Sequence, residues 1–192
     1  FFWLFSVDLK SSSNSVQSVI KNWIEINFKY NSKNWNFDTT SKRIISWLSN
    51  YRLTYENSNE QYKIDFNKII HKQTSHLINQ IDNIHSYENK LSAIAAIILV
   101  GLCYKDEKNF TNKGLNNLKK VIKNSLDSFG FPRSRSIKYS ILFLKYFIII
   151  REWFKESQNT IPEYIDETIY YLGQSYAFIW QNINQDILFN GN

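Results

Sequence analysis

The residues best suited to chemistry lie in the stretch DSFGFPRSRSIKYS, residues 127–140. It places three cations, Arg133, Arg135 and Lys138, beside a glycine and a proline. The whole chain has only five glycines and two prolines, so a plain connection between helices does not explain the cluster. Cations in this arrangement suit an anionic partner. The stretch is therefore either a turn whose basic residues have no binding role or the rim of an anion-binding site.

A second polar turn, HSYENKL at residues 85–91, leads into the most apolar segment of the chain. Asn89 and Lys90 fall where the following helix should begin. One interpretation is a helix N-cap with a solvated lysine. The other is a functional amide and cation at the end of a helical array. If helical hairpins stack side by side, alternate helices start on the same face, and this turn would lie near the basic stretch.

The elements that must position these residues are helical, because apolar residues recur every three to four positions. We expect the fifth helix to follow a turn at residues 111–114, and the last to carry Pro162 in its first turn. Only the tail, from Asp186 to Phe189, has an extended pattern. The apolar stripes predict helices over residues 16–24, 44–55, 62–84, 91–103, 115–129, 137–148 and 165–183.

This pattern predicts an all-α fold of stacked antiparallel helical hairpins in two layers, part of a curved α/α array. Residues 1–185 are expected to form one helical domain, and residues 186–192 to begin a linker or strand. Both ends look cut, so we expect the chain to be a fragment of a longer protein. No apolar run reaches the roughly 20 residues that a membrane-spanning helix needs.

The amino-acid composition and net charge limit the classes of function that this protein can have. A hydrophobic content of 43% with 17% aromatic residues excludes a disordered segment. The formal charge of +6 indicates an anionic partner or only a Lys-, Asn- and Ile-rich composition. Nucleic-acid binding is disfavoured, because the basic residues do not line one helix and no recognition motif is present.

Cysteine and histidine placement gives no metal or cofactor site. Cys103 is the only cysteine, so no internal disulfide can form, and its apolar surroundings predict a buried thiol. The histidines are His71, His76 and His85, and none is paired at the i, i+4 spacing that would set two imidazoles on one metal. We predict no metal and no cofactor.

Spaced tryptophans, an arginine and turn residues together resemble the helical N-terminal part of the heparinase II/III-like polysaccharide lyases, in the form common in α-proteobacteria. The resemblance covers nearly the whole chain. The motifs that carry it are WLF with SVDL from Trp3, NWIEIN around Trp23, NW at Trp35, RxxxWL from Arg43, the helix that ends in Gly101-Leu102, FPRSRS from Phe131, and the final LFNGN.

The resemblance implies an incomplete α/α toroid followed by an antiparallel β-sandwich domain that this chain lacks. It implies β-elimination cleavage of an acidic, uronate-containing polysaccharide in the periplasm or cell envelope, without a cofactor. In such enzymes an amide or cation neutralises the uronate carboxylate, a base removes the C5 proton, and an acid protonates the departing O4.

Carried over position by position, the resemblance makes Asn89, Lys90 and Tyr139 the catalytic candidates. Asn89 matches the family's asparagine, but Lys90 stands where a histidine follows it, and Ile137 stands where the catalytic tyrosine belongs. Tyr139 is a substitute two positions later. The remaining catalytic histidine of the family lies in the β-sandwich domain. The candidates for substrate binding are Arg133, Arg135, Lys138 and His85.

These departures leave open whether the protein is an enzyme. The alternative is a non-catalytic helical module that binds or scaffolds a glycan. In that case the aromatic residues Trp35, Trp47 and Tyr51 either stack on sugar rings or belong to the core.

Overall fold

The protein is all-α in the part that the computed structural model describes, which is Leu4 and residues 13–104 and 107–182. A π-helical turn at Arg52–Glu56 follows α2, and a 3₁₀ turn at Ile81–Asn83 follows α3. The α-helices are α1 (Ser13–Asn27), α2 (Phe37–Ser49), α3 (Glu60–Gln80), α4 (Tyr87–Cys103), α5 (Lys108–Ser125), α6 (Ile137–Glu156) and α7 (Glu163–Asn182).

The described residues fall into two compact units. Unit one runs up to Thr111, and unit two begins at Asn112, within α5. The predicted single domain over residues 1–185 stays a prediction, and the predicted strand at residues 186–192 lies outside the described residues. None of the helices described here is long and apolar enough to cross a membrane.

The core of unit one is built around α4. This helix is apolar on all faces and is buried over its whole length from Leu91 to Gly101, against α2 and α3. Gly101 marks the closest approach, because a Cβ at this position would collide with Thr111. The chain therefore needs a residue without a side chain where α4 meets the start of α5.

The RxxxWL motif of α2 is part of the core. Arg43 is only 2% exposed, and its Nη2 donates to the Asn34 carbonyl oxygen at 2.7 Å. Its guanidinium lies 3.8 Å from the centre of the Trp23 ring, a cation–π contact. Burial lowers the pKa of Arg43 to about 9. Trp47 is fully buried, with its ring 5.5 Å from that of Phe66, so this motif stabilises the fold.

Unit two is organised by the packing of α6 on α7. Phe143, Phe147 and Ile150 of α6 are buried, as are Ile165 and Leu172 of α7. The apolar spacing of α7 predicted its buried Ile165 and Leu172. On α6 the spacing predicted the helix but not its buried face, because Ile141 and Ile148 of the expected stripe are exposed. Pro162 lies one residue before α7, where its carbonyl oxygen accepts the Ile165 N–H at 2.9 Å.

Four sequence predictions were wrong in detail. The predicted turn at residues 111–114 is helical, because α5 begins at Lys108 and passes through the buried Gly114. The predicted helix over residues 44–55 is interrupted after Ser49, where the π-helical turn follows. Phe129 lies beyond the end of α5 and is 71% exposed. Cys103 is exposed because it is the last residue of α4.

Candidate functional site

The basic loop, residues 126–136, joins α5 to α6 and is fixed by its own hydrogen bonds. The Asp127 N–H donates to the Phe131 carbonyl oxygen at 2.9 Å, and the Arg133 N–H donates to the Ser125 carbonyl oxygen at 2.8 Å. Asp127 Oδ1 accepts two further N–H groups, those of Phe129 and Phe131, each at 3.0 Å. The stretch that the sequence identified as a basic turn therefore has a single backbone conformation, which hydrogen bonds to Asp127 hold in place.

At Gly130 the backbone of this loop packs directly against α7. The φ of Gly130, 78°, lies in the left-handed region, and a Cβ at this position would come within 2.6 Å of the Tyr171 carbonyl carbon. The Ser175 hydroxyl lies 3.3 Å from the Gly130 carbonyl oxygen and shares its one hydrogen with the Leu172 carbonyl oxygen at 2.9 Å. One of the five glycines stands here because both the backbone angle and the space exclude a side chain.

The three predicted cations of this stretch differ in what they contact. Arg133 and Lys138 are exposed, and no ion pair engages either of them among the described residues. Arg135 adopts a φ of 57°, and its Nη1 donates to Asp127 Oδ2 at 3.0 Å. Two cations are thus available to a ligand, whereas the third is already neutralised by a carboxylate.

The environment of Asp127 keeps its carboxylate charged. Burial acts to raise the pKa of Asp127, but the N–H groups of Phe131 and Phe129 and the Arg135 guanidinium outweigh it, so the net pKa is lowered. Arg135 is 70% exposed at its side chain, and Asp127 is 21% exposed. The ion pair is therefore a surface pair that locks the loop rather than a buried charge.

A cleft of about 370 Å³ lies beside the loop. We call it the lysine cleft. Two exposed cations of α5 line it, Lys119 and Lys123, and Lys119 Nζ lies 4.9 Å from the centre of the Tyr164 ring. Asp127 and Glu167 add two carboxylates to its wall. The remaining lining residues are Ile122, Leu126, Ser128, Gly130, Tyr164, Thr168 and Tyr171.

Tyr164 in this cleft is a hydrogen-bond donor. Its hydroxyl donates to the Leu115 carbonyl oxygen at 3.4 Å, and burial raises the pKa of Tyr164 to about 12. A phenol with this pKa stays protonated at neutral pH and is unsuited to act as a base.

Lys119, Lys123 and Tyr164 were missed in the sequence. The i, i+4 spacing of the two lysines on α5 indicates one shared face. That spacing does not tell which helix packs beside them.

The predicted catalytic candidates occupy both units. Tyr139 is half-buried in the first turn of α6, two residues after Ile137, and does not line the lysine cleft. Asn89 and Lys90 are half-buried in the first turn of α4, and His85 is exposed just before it. Because these three belong to unit one, their expected closeness to the basic loop stays a prediction.

The turn before α4 contains a helix N-cap, as one of the two interpretations of the sequence required, but the helix begins at Tyr87 rather than at Leu91. Ser86 caps the helix, with its hydroxyl oxygen accepting the Asn89 N–H at 3.5 Å. The Asn89 carbonyl oxygen accepts the Ser92 hydroxyl at 3.0 Å, whereas its side-chain amide has no hydrogen bond within the described ranges. An amide that is half-buried and free suits the role of a ligand-binding group.

No set of three or more His, Cys, Asp or Glu side chains in the described part of the chain is grouped as metal ligands would be. Comparison of the chain with family models, with curated proteins and with solved structures found no match.

Proposed function

We propose that this chain is the helical part of a polysaccharide lyase of the heparinase II/III-like kind, and that the basic loop and the lysine cleft bind its acidic glycan. One observation carries the proposal: Arg133 on a loop with a fixed backbone and Lys138 in the first turn of α6 are exposed, and neither forms an ion pair with a described residue. Both lie in the same unit as the lysines of the cleft. Because the backbone of the loop is already ordered, binding a polyanion costs mainly the freedom of the side chains, and the positive charges attract the polyanion over a distance.

The proposed reaction is β-elimination at a uronate residue. Asn89 donates a hydrogen bond to the carboxylate and makes the C5 proton more acidic. A base removes that proton, the C4–O4 bond breaks as the C4–C5 double bond forms, and an acid delivers a proton to the departing O4. The resemblance offers Tyr139 as the candidate base and Lys90 as the candidate acid. In this proposal the helices are stacked hairpins of an incomplete α/α toroid, which is followed by a β-sandwich domain, and the protein acts in the periplasm or cell envelope.

A second candidate function is a non-catalytic module that binds an acidic glycan. The ion pair between Arg135 and Asp127 favours it, because a guanidinium already neutralised by a carboxylate does little to lower the pKa of a nearby tyrosine. Ile137 in place of the family's tyrosine points the same way.

The test uses the intact protein that carries this chain and a panel of heparin-like, chondroitin-like and alginate-like polysaccharides. A rise in ultraviolet absorbance reports the unsaturated uronate that elimination leaves, and a separate assay measures binding. For a lyase we expect the rise with one polysaccharide, its loss in Asn89→Ala, and weaker binding in Arg133→Ala. Lys68→Ala, at an exposed lysine of α3, is the control for lost charge.

Each outcome decides between the two functions. Binding that depends on Arg133 without any rise in absorbance establishes the glycan-binding module. Cleavage that survives the combined loss of Asn89 and Arg133 shows that the site is elsewhere. Failure of the folded protein to bind or cleave any acidic polysaccharide overturns both functions.

A further inference from the structure

Unit one contains a cavity that the proposed lyase chemistry does not use. It has a volume of about 470 Å³, within the range of roughly 300–1,000 Å³ that small-molecule sites occupy. We call it the tyrosine cavity. Its lining residues are Trp47, Leu48, Tyr51, Tyr55, Phe66, Asn67, Cys103 and Tyr104.

The polar groups of the cavity form one continuous chain. The Tyr104 hydroxyl donates to Asn67 Oδ1 at 2.8 Å, and Asn67 Nδ2 donates to the Tyr55 hydroxyl oxygen at 3.1 Å. The Tyr55 hydroxyl hydrogen has no acceptor among the described residues. Asn67 retains a second N–H and a second lone pair. The wall therefore offers a donor at Tyr55 and both a donor and an acceptor at Asn67.

Among the residues that the structure describes, no charged side chain lines the cavity. Lys63 lies 5.8 Å from the centre of the Tyr55 ring, and this lysine is paired with Glu60 at 3.2 Å. Cys103 is exposed by surface area, but the protein atoms packed around its thiol displace water and raise the pKa of the thiol to about 11, so the thiol is neutral at physiological pH. The described lining residues offer a charged ligand no counter-charge for the hydration it would lose, so they favour an uncharged ligand.

The rest of the wall is aromatic and held in place. Tyr51 is 50% exposed and offers a free ring face, while the Tyr55 ring lies 5.3 Å from that of the buried Phe66. Tyr55 stands on the π-helical turn, a rare helical form found often at functional sites. The Thr54 hydroxyl fixes this turn by donating to the Trp47 carbonyl oxygen at 2.7 Å.

We propose that the tyrosine cavity binds an uncharged sugar ring. The C–H face of a pyranose packs on aromatic rings such as Tyr51. Its hydroxyl groups both donate and accept, which matches the mixed donor and acceptor set at Tyr55 and Asn67. This site is separate from the acidic-glycan site of unit two, and it stands whether or not the chain is a lyase.

The test titrates the full chain with glucose, N-acetylglucosamine, maltose and cellobiose. Intrinsic tryptophan fluorescence and saturation-transfer-difference NMR report binding. We expect at least one of these neutral sugars to bind. Tyr55→Phe, which keeps the ring and removes the hydroxyl, should weaken that sugar about fivefold. Tyr51→Ala, which removes the exposed ring, should also weaken it.

Tyr170→Phe is the matched control, since Tyr170 is 61% exposed on α7 of unit two. It should leave the affinity unchanged, and circular dichroism should show native helix content in all three variants. Absence of binding by every sugar overturns the proposal. Equal affinity in Tyr55→Phe, Tyr51→Ala and the wild type does so as well. Binding of an uncharged heterocycle such as adenine, with no sugar bound, assigns the cavity to another ligand class and also overturns it.

Discussion

Asp127 performs two tasks with its two carboxylate oxygens. Oδ1 accepts the N–H groups of Phe129 and Phe131, and Oδ2 accepts the Arg135 guanidinium. Asp127→Asn keeps an oxygen for the first task and removes the charge needed for the second. Asp127→Ala removes both. This pair of variants therefore separates the structure of the basic loop from its electrostatics.

We expect Asp127→Asn to increase the affinity for an acidic polysaccharide by about 1.5- to 5-fold. This factor corresponds to the free energy of one exposed ion pair, because Arg135 is then free to pair with the ligand instead of with Asp127. Asp127→Ala should lower the free energy of unfolding by about 1–2 kcal/mol, because two N–H groups lose their acceptor. Binding titrations and urea unfolding measure these effects. Weaker binding by a stable Asp127→Asn variant would contradict the proposed role of Arg135.

The same carboxyl group predicts a dependence of stability on pH. Its folded pKa lies below the ordinary value of 3.8, so the stabilisation it provides is fully present above that pH. It is lost as the pH falls through the lower, folded pKa. Thermal unfolding should show wild type more stable than Asp127→Asn at pH 6, with the difference vanishing on acidification below 3.8. A difference that persisted in strong acid would exclude the carboxylate as its source.

At the scale of elements, two glycines of unit two give a matched comparison. Gly130 has a positive φ and no room for a Cβ beside Tyr171, whereas a Cβ at Gly173 in α7 would meet nothing within 4 Å. Gly130→Ala should destabilise the protein by about 1–3 kcal/mol through backbone strain and displacement of the loop from α7. Gly173→Ala should stabilise it by about 0.5–1 kcal/mol through helix propensity.

Chemical denaturation measures both glycine variants, and Gly130→Ala should also weaken binding of an acidic polysaccharide because the loop shifts beside the lysine cleft. Gly173→Ala should leave that binding unchanged. Equal stability of the two variants would show that the loop is not fixed against α7 at Gly130.

Periodicity predicted the helices better than the breaks between them. The apolar stripes of α4 and α6 are strong because these helices carry much of the core, and their existence follows from spacing alone. The turn expected at residues 111–114 was wrong because a glycine costs a helix only about 1 kcal/mol, which packing along α5 offsets. The π-helical turn at Arg52–Glu56 has no signature in apolar spacing.

The candidate site was predictable only where its residues are close in sequence. The cluster of Arg133, Arg135 and Lys138 was visible, but the Asp127–Arg135 ion pair depends on how the loop folds back. Lys119 and Tyr164 come from helices far apart in the chain, and sequence spacing does not determine which helices pack together. The tyrosine cavity was missed for the same reason, although Tyr51 was already a candidate for sugar stacking.

At the scale of the whole molecule, the two units present different chemistry to solvent. Unit two carries the exposed cations of the basic loop and of the lysine cleft, whereas none of the described residues that line the tyrosine cavity of unit one is charged. Salt screens exposed charges over about 10 Å at 0.1 M ionic strength and leaves hydrogen bonds between neutral groups nearly unaffected. One protein should therefore show one salt-sensitive and one salt-insensitive binding reaction.

We expect sodium chloride to weaken acidic-polysaccharide binding progressively and to leave neutral-sugar binding unchanged in the same preparation. Calorimetric titrations with each ligand across a series of salt concentrations measure both dependences. Lys119→Ala combined with Lys123→Ala should make the acidic-polysaccharide reaction less sensitive to salt, since fewer cations are screened. It should not alter the neutral-sugar affinity. Salt-independent binding of the polyanion would show that the cations of unit two do not contact it, and salt-dependent sugar binding would place a charge in the tyrosine cavity.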